Sequence, residues 1–306
     1  MDFLALYRKE KEKIKLMKKN GVEKCSKSYF EEKLTQDQLG REDIEEDQPT
    51  CQKSVLEKQD DETSEDQSQK SCSKPLFAAG LELLNLSEFQ LGEIPSILYI
   101  PEWVSEAEEQ LILERTYAIP DSDPRWVKLR ERRLQCWGGQ PNFENFVPEP
   151  LPEWQEELCE ALVRCGLFLE THRPNHVLLN EYEPGQGIMP HTDGPSYFPR
   201  VAILSLSSPC VMRFTPRLQS DQIGSQKTAG TESRVMSVIL APRSLLLFSD
   251  EIYSDYLHGI DFNSCDLIEE SSQALNLKES GYGIGDNVIR HATRVSLTIR
   301  NVPCPS

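Results

Sequence analysis

The sequence is poor in histidine, in long apolar runs and in closely spaced cysteines. Only five histidines occur in 306 residues, and nine cysteines occur with no Cys-x-x-Cys pair. Such cysteine usage predicts free thiols and a reducing, intracellular compartment. No apolar stretch approaches the roughly 18 residues of a membrane-spanning helix. The start, MDFLALYRKEKEKIK, is charged within its first eight residues, which excludes a secretory signal peptide of ordinary form.

Positive charge is also scarce, with 33 Lys and Arg residues against 50 Asp and Glu residues and a net charge of −17. We therefore expect low non-specific affinity for nucleic acid from the chain as a whole. One basic segment departs from this pattern, and its candidate substrate contacts are Arg125, Trp126, Lys128, Arg130, Arg132 and Arg133. They could contact phosphates and stack on a base, or form a solvated face with Trp126 as a core anchor.

The composition divides the chain into two parts, a charged extension over residues 1–90 and a folded domain over residues 91–306. Residues 1–24 are lysine-rich, and the run from Arg8 to Lys19 is a weak candidate nuclear address. Residues 31–74 hold few apolar side chains, so they cannot bury enough surface to offset their ordering entropy, and we expect disorder. The acidic extension could also recruit protein partners.

The folded part reads as helices followed by strands. Ser105-Glu106-Ala107-Glu108 predicts a capping box at the start of one helix. A second helix is expected from Pro152 to Leu167, with Gly166 near its end. Strands are expected at 97–100, 176–182, 201–207, 210–215, 235–240, 244–249 and 294–302. This order predicts an α+β domain with a β-sandwich or barrel core.

Three short stretches carry the candidate chemistry. His191 and Asp193 are two residues apart, so on an extended strand they share one face, roughly 7 Å apart along the chain. His258 follows the apolar run 244–248, which reads as a buried strand. Two histidines and one carboxylate can form a facial triad for Fe(II) that leaves positions open on the metal.

The third stretch is the strand 294–300 near the C-terminus. Strand alternation puts Arg294, Ser296 and Arg300 on one face and the apolar residues on the other. A guanidinium group can bind a carboxylate through two parallel hydrogen bonds, so this face could hold an acidic co-substrate beside the metal.

Together these stretches give the chain a resemblance to a known family. It resembles the AlkB family of Fe(II)- and 2-oxoglutarate-dependent dioxygenases over roughly residues 90 to 303. The motifs that carry the resemblance are LQCWGG (134–139), NHVLLNEYEPGQGIMPHTDGP (175–195), APRSLLLF (241–248), YLHGI (256–260) and TRVSLTIRNVP (293–303).

The resemblance implies a fold, cofactors and residue roles. The fold is a double-stranded β-helix, or jelly roll, and the cofactor and co-substrates are Fe(II), 2-oxoglutarate and O₂. The implied iron ligands are His191, Asp193 and His258. The implied contacts to 2-oxoglutarate are Asn180, Tyr182, Arg294, Ser296 and Arg300. Bacterial members usually carry asparagine where this chain has Ser296. The segment between His258 and Arg294 is longer than in those members, and we interpret it as a surface insertion.

The implied reaction is oxidative demethylation of alkylated RNA or DNA, with the basic segment 125–133 in the position of a nucleotide-recognition lid. Tyr197 could border the substrate cleft or belong to the core. Two alternatives stay open. The chain could be a dioxygenase that acts on a protein or small molecule, or a non-catalytic scaffold that uses the same fold. We expect the protein in the cytoplasm and nucleus, without membrane contact.

Overall fold

The computed structural model describes residues 76–77, 82–92, 94, 96–139, 147–217 and 234–303. The segments 1–24 and 31–74 lie outside these residues, so the domain boundary and the expected disorder stay predictions. Packing begins upstream of residue 91, because Leu76 and Phe77 are buried and Phe77 contacts the Trp103 ring at 5.6 Å between centroids. No helix in the described ranges combines the length and apolar character that crossing a membrane requires.

Strands dominate the described residues, and every pair of strands runs antiparallel. In chain order they are β1 (Ile97–Ile100), β2 (Val127–Lys128), β3 (Arg133–Trp137), β4 (His176–Tyr182), β5 (Ile188–His191), β6 (Arg200–Leu206), β7 (Cys210–Pro216), β8 (Met236–Leu240), β9 (Leu245–Ser249), β10 (Tyr256–Ile260), β11 (Cys265–Leu267), β12 (Asn287–Ile289) and β13 (Arg294–Arg300). The expected long strands are confirmed, whereas β2, β3, β5 and β10 to β12 have no clear apolar alternation.

The strands form two main sheets. The larger has seven strands in the order β1-β9-β6-β13-β4-β3-β2, and the smaller has four in the order β5-β10-β7-β8. Large side chains from both sheets share one buried cluster, which includes Tyr99, Ile203, Phe214, Val238 and Phe248. Two antiparallel sheets over a common core confirm the expected jelly roll within an α+β domain.

The helices are α1 (Glu106–Tyr117), α2 (Glu153–Arg164), α3 (Asp250–Asp255) and α4 (Leu277–Ser280), with 3₁₀ turns at Leu86–Phe89, Glu170–His172 and Glu270–Ser272. Helices α1 and α2 pack on the other face of the larger sheet, whereas α3 packs at the core between the sheets and α4 on β8 of the smaller sheet. The capping box at Ser105 and Glu108 is confirmed, because each side chain bonds the other residue's backbone N–H. Helix α2 follows Pro152 and is closed by Gly166 at a φ of 78°. Leu158 and Leu162 of α2 pack with Leu297 of β13 in a second core.

The segment between β10 and β13 is more than a surface insertion. Its glycine-rich part, 281–287, is largely exposed as expected. However, Ile268 and Val288 pack on Val211 and Ile239 of the smaller sheet. Arg290 and Asp266 form an ion pair at 2.7 Å in which both side chains are buried. The polar composition of the segment concealed this small third core.

Candidate metal and co-substrate site

The two histidines of the proposed triad lie on neighbouring strands. His191 ends β5 and is the register partner of His258 in β10, and the two ring centroids are 4.4 Å apart. One ligand atom from each of His191, Asp193 and His258 lies within 4.8 Å of the others. Pairing of β5 with β10 therefore brings together side chains that are separated by 67 positions in the sequence.

Close packing fixes the positions of β5 and β10 relative to each other. A Cβ added at Gly259 would lie 2.9 Å from Pro190 N, so only glycine permits the observed approach of β10 to β5. The rings of Phe214 and Phe248 pack beside His258, with centroid distances of 6.2 and 5.0 Å. The loop that carries Asp193 is tied to α3, because the Tyr253 hydroxyl donates to Gly194 O at 2.5 Å.

The Asp193 carboxylate is buried, and only one of its two oxygens accepts a hydrogen bond. Its side chain is 2 % exposed, and Oδ1 accepts from Arg300 Nη2 at 2.6 Å. Oδ2 has no hydrogen-bond partner and lies 3.6 Å from His258 Nε2. Burial acts to raise the pKa of Asp193, but Arg300, His258 and His191 outweigh it and hold that pKa below the ordinary value. An ionised carboxylate with an unsatisfied oxygen beside two imidazoles fits the donor set of an Fe(II) triad.

The two arginines of β13 are buried on the same face of the strand, and each has donor nitrogens without a hydrogen-bond partner. Arg294 donates from Nη2 to Ser205 Oγ at 3.0 Å, while its Nε and Nη1 are buried without a partner. The Nε of Arg300 is likewise unpaired. The Arg294 guanidinium is 3 % exposed, and two of its donor nitrogens make no hydrogen bond. Such a group suits an anionic ligand, because burying a charge without a partner is costly.

The remaining expected co-substrate contacts lie on the same side of the larger sheet. Ser296 is the register partner of Asn180 in β4 and of Ser205 in β6. Tyr182 is the register partner of Arg294, whose guanidinium carbon lies 5.7 Å from the Tyr182 ring centroid. A cavity beside Tyr182 and Arg294 is also lined by Cys210, Ile260 and Arg290. The structure thus places all five expected contacts on one face of β4 and β13, and two of them, Tyr182 and Arg294, line the cavity.

The basic segment 125–133 forms a β-hairpin from β2 and β3, and its cations differ in their roles. Arg133 is bound by Glu181 at 2.5 Å and Asp121 at 2.7 Å and lies over the Trp126 ring. Trp126 donates to Ile119 O at 3.2 Å and packs on the core, so it acts as an anchor. Arg125, Lys128 and Arg130 are exposed, although Arg130 pairs with Glu131 and Arg125 lies over Trp137.

Tyr197, the last expected substrate contact, is buried at the metal side of the cleft. It is 8 % exposed, and the Arg300 guanidinium lies 4.5 Å from its ring centroid. Tyr197 therefore packs against the arginine that binds Asp193.

Two further residues in this region were not predicted from the sequence. His176 is the register partner of Arg300, and its Nε2 lies 3.3 Å from Cys136 Sγ. Burial and the charge of Arg300 lower the pKa of His176 to about 3. The second residue is Tyr253, which holds the Asp193 loop. His176 shares its strand face with Asn180, and this alternation was the only available signal.

Comparisons with known proteins place the chain among AlkB-like oxygenases. The 2OG-Fe(II) oxygenase superfamily model matches residues 96–300. The "Probable RNA/DNA demethylase ALKBH6" of Danio rerio is 42% identical over 224 residues, which cover 72% of this chain and 92% of that protein. The "Alkylated DNA repair protein ALKBH8 homolog" of Arabidopsis thaliana is 29% identical, covering 69% of this chain and 60% of that protein. These matches confirm the resemblance seen in the sequence.

Two other matches are weaker or cover less of the matched protein. The "tRNA (carboxymethyluridine(34)-5-O)-methyltransferase alkbh8" of Xenopus tropicalis is 31% identical over 69% of this chain, which spans 32% of that protein. The solved structure of OsALKBH1 superposes with a TM-score of 0.45 at 15% identity, covering 69% of this chain and 100% of that one.

Proposed function

Because the chain belongs to the 2OG-Fe(II) oxygenase superfamily and is a 2-oxoglutarate-dependent dioxygenase, we propose that it demethylates alkylated RNA or DNA by oxidation. The observation that carries the chemistry is the cluster of His191, Asp193 and His258 beside the buried Arg300. The nucleic-acid substrate is supported by similarity to a relative named as a probable RNA/DNA demethylase.

In this proposal His191, Asp193 and His258 hold Fe(II), and Arg294 pairs with the distal carboxylate of 2-oxoglutarate. Arg300 neutralises and orients the Asp193 carboxylate, since the two are joined at 2.6 Å. Asn180, Tyr182 and Ser296 supply further polar contacts to the co-substrate from neighbouring register positions. When bound, the iron would supply oxidation of an N-methyl C–H bond by O₂, with one oxygen atom passing to the methyl carbon, which leaves as formaldehyde, and the other to 2-oxoglutarate, which becomes succinate and CO₂.

The hairpin is the proposed nucleic-acid contact, through the exposed Arg125, Lys128 and Arg130. Arg133 is excluded from this role because Glu181 and Asp121 already neutralise it. Phosphate contacts by a few exposed cations would position a strand without reading its sequence.

A second candidate substrate is a protein or a small molecule. Residues 91–306 contain 18 Lys and Arg residues against 30 Asp and Glu residues, so the domain is acidic overall. Such a surface disfavours a polyanion except at the hairpin. This candidate keeps the same iron and co-substrate residues.

Succinate formation by the purified full-length protein with Fe(II) tests both candidates. The assay compares single-stranded RNA and DNA carrying N-methylated bases with the same oligomers unmethylated. We expect succinate and formaldehyde to rise together with a methylated oligomer of one class. Turnover of 2-oxoglutarate that no methylated oligomer raises would contradict the nucleic-acid substrate and favour the second candidate.

We also propose that the protein acts in the cytoplasm and nucleus, with the acidic N-terminal extension as a contact for protein partners. The lysine-rich run from Arg8 to Lys19 supports nuclear entry, and free thiols at all five described cysteines agree with a reducing compartment. Imaging of the tagged full chain and of a variant with Lys→Gln changes in that run tests this. Equal nuclear signal from both would contradict the role given to the run.

A further inference from the structure

Two adjacent arginines of the hairpin bind opposite sides of β4. Arg133 holds Glu181, whose register position places it on the helix side of the larger sheet. Arg132 lies in the hairpin turn, where its carbonyl accepts from Leu129 N at 2.8 Å. The Arg132 side chain turns to the cleft side and donates from Nε to Asn180 Oδ1 at 3.1 Å. The hairpin therefore touches the cleft through Arg132.

Asn180 is one member of a polar row that crosses three strands. It is 5 % exposed and lies opposite Ser296, which lies opposite Ser205. Ser205 Oγ then accepts from Arg294 at 3.0 Å. Arg132 stands at one end of this row and Arg294 at the other, so the row joins the hairpin to the arginine expected to bind the co-substrate.

The chemistry of this contact fixes the orientation of the Asn180 amide. A guanidinium group can donate hydrogen bonds but cannot accept them, so Arg132 selects the rotamer in which the amide oxygen faces it. The NH₂ group is then directed elsewhere, and within the described ranges Asn180 Nδ2 donates to no protein atom. Those two donors suit an anionic oxygen in the cleft.

We propose that Arg132 is a positioning residue that couples the hairpin to co-substrate binding by fixing the Asn180 amide. The inference rests on the proposed function, because it requires a dicarboxylate in the cleft. Coupling between two sites is reciprocal, so binding of 2-oxoglutarate must order the hairpin by the same factor by which the ordered hairpin strengthens binding.

The test measures binding of 2-oxoglutarate to the full-length protein with Mn(II) in place of Fe(II), so that no turnover is needed. We expect R132L to raise the Kd for 2-oxoglutarate by about tenfold to 150-fold, the range for loss of one hydrogen bond to a charged group. The control is R164L, the same change at an exposed arginine of α2 that has no part in the proposed binding surfaces. It should leave the Kd within about twofold.

A double-mutant cycle separates positioning from a general effect of charge. In an Asn180→Ala background, R132L should change the Kd by less than about twofold, since the amide through which Arg132 acts is gone. Equal effects of R132L in both backgrounds would overturn the inference. Arg132→Lys, which keeps the charge and a donor, should recover part of the affinity.

Hydrogen exchange of residues 125–133 gives a readout that does not depend on affinity. Binding of 2-oxoglutarate should slow exchange in the wild type and in R164L but not in R132L. Unchanged exchange in the wild type upon saturation would overturn the coupling while leaving the proposed function intact. Failure of the wild type to bind 2-oxoglutarate at all would instead contradict the proposed function, and the inference with it.

Discussion

The two faces of the larger sheet bury side chains of different kinds, and the residues of β13 show this difference within one strand. On the helix face Val295, Leu297 and Ile299 are fully buried in the core that also contains α2. On the cleft face Arg294 and Arg300 are 3 % and 6 % exposed and retain unmade hydrogen bonds. All seven residues of β13 are buried, so burial by itself does not distinguish the two faces.

The difference lies in the charge of the unsatisfied groups. On the helix face the buried polar atoms without partners are neutral, as in Gln155 and Thr116. On the cleft face they include atoms of the ionised Asp193, Arg294 and Arg300, beside Nδ1 of the neutral His176. Unpaired charge is far more costly to bury than an unpaired amide or hydroxyl. The apolar face thus stabilises the strand while the cleft face keeps charge available for a metal and a dicarboxylate.

The largest expected effect comes from removing the carboxylate on the cleft face. Asp193→Ala should reduce 2-oxoglutarate turnover by more than about 100-fold, beyond the usual loss for an outer-shell partner of a metal ligand. Succinate formation measures it, with the exposed Asp255→Ala as the control. Turnover near that of the wild type would mean that Asp193 is not a ligand.

The contrast between the faces is tested by changing neighbouring residues of β13. Leu297→Ala should lower the free energy of unfolding by about 2 to 5 kcal/mol, because it opens a cavity in the helix-face core. Ser296→Ala should lower it by less than about 1 kcal/mol while weakening 2-oxoglutarate binding. Urea unfolding measures the change in stability of each variant, and ligand titration measures the binding of 2-oxoglutarate. If Ser296→Ala were the more destabilising change, the described difference between the two faces would be wrong.

We expect His176, on the cleft face, to lower the stability of the folded protein as the pH falls. Its pKa is lowered to about 3 by burial and by Arg300, whereas an unfolded histidine titrates near 6.5. Below pH 6.5 the unfolded chain takes up a proton that the folded protein does not, so stability falls as the pH drops towards 3. Between pH 7 and pH 5 this group should remove about 1 to 2 kcal/mol.

Denaturant unfolding of the metal-free protein at pH 7 and pH 5 measures this contribution. His176→Gln should reduce the loss of stability between the two values, whereas His291→Gln, at an exposed histidine, should not. An identical pH slope for wild type and His176→Gln would show that His176 does not titrate in this way.

The smallest effect on stability is expected at the hairpin surface. Lys128→Ala with Arg130→Ala should change the free energy of unfolding by less than about 0.5 kcal/mol. The same double change should lower affinity for a single-stranded oligonucleotide and reduce its salt slope by roughly 0.7 per lost contact. Arg164→Ala with Lys278→Ala removes two exposed cations elsewhere and should leave both quantities unchanged.

Much of the fold was predictable because its long strands carry strong local patterns. Apolar runs marked β6 to β9, and alternation marked both faces of β13. The short strands β2, β3, β5 and β10 were not predicted, because their residues pair with distant partners and show little periodicity of their own. His191 and His258 could be named as a pair, but only the β5–β10 register explains how they meet.

From the sequence alone one can derive the two main helices, the long strands, the donor types of the candidate site and the division of β13 into an apolar and a polar face. These follow from side-chain chemistry and local periodicity, which do not depend on distant residues. Three roles are visible only in the folded domain: Arg133 anchors the hairpin, Arg132 holds Asn180, and His176 faces Arg300. Those roles depend on which strand lies beside which, and strand register is set by packing across the whole domain.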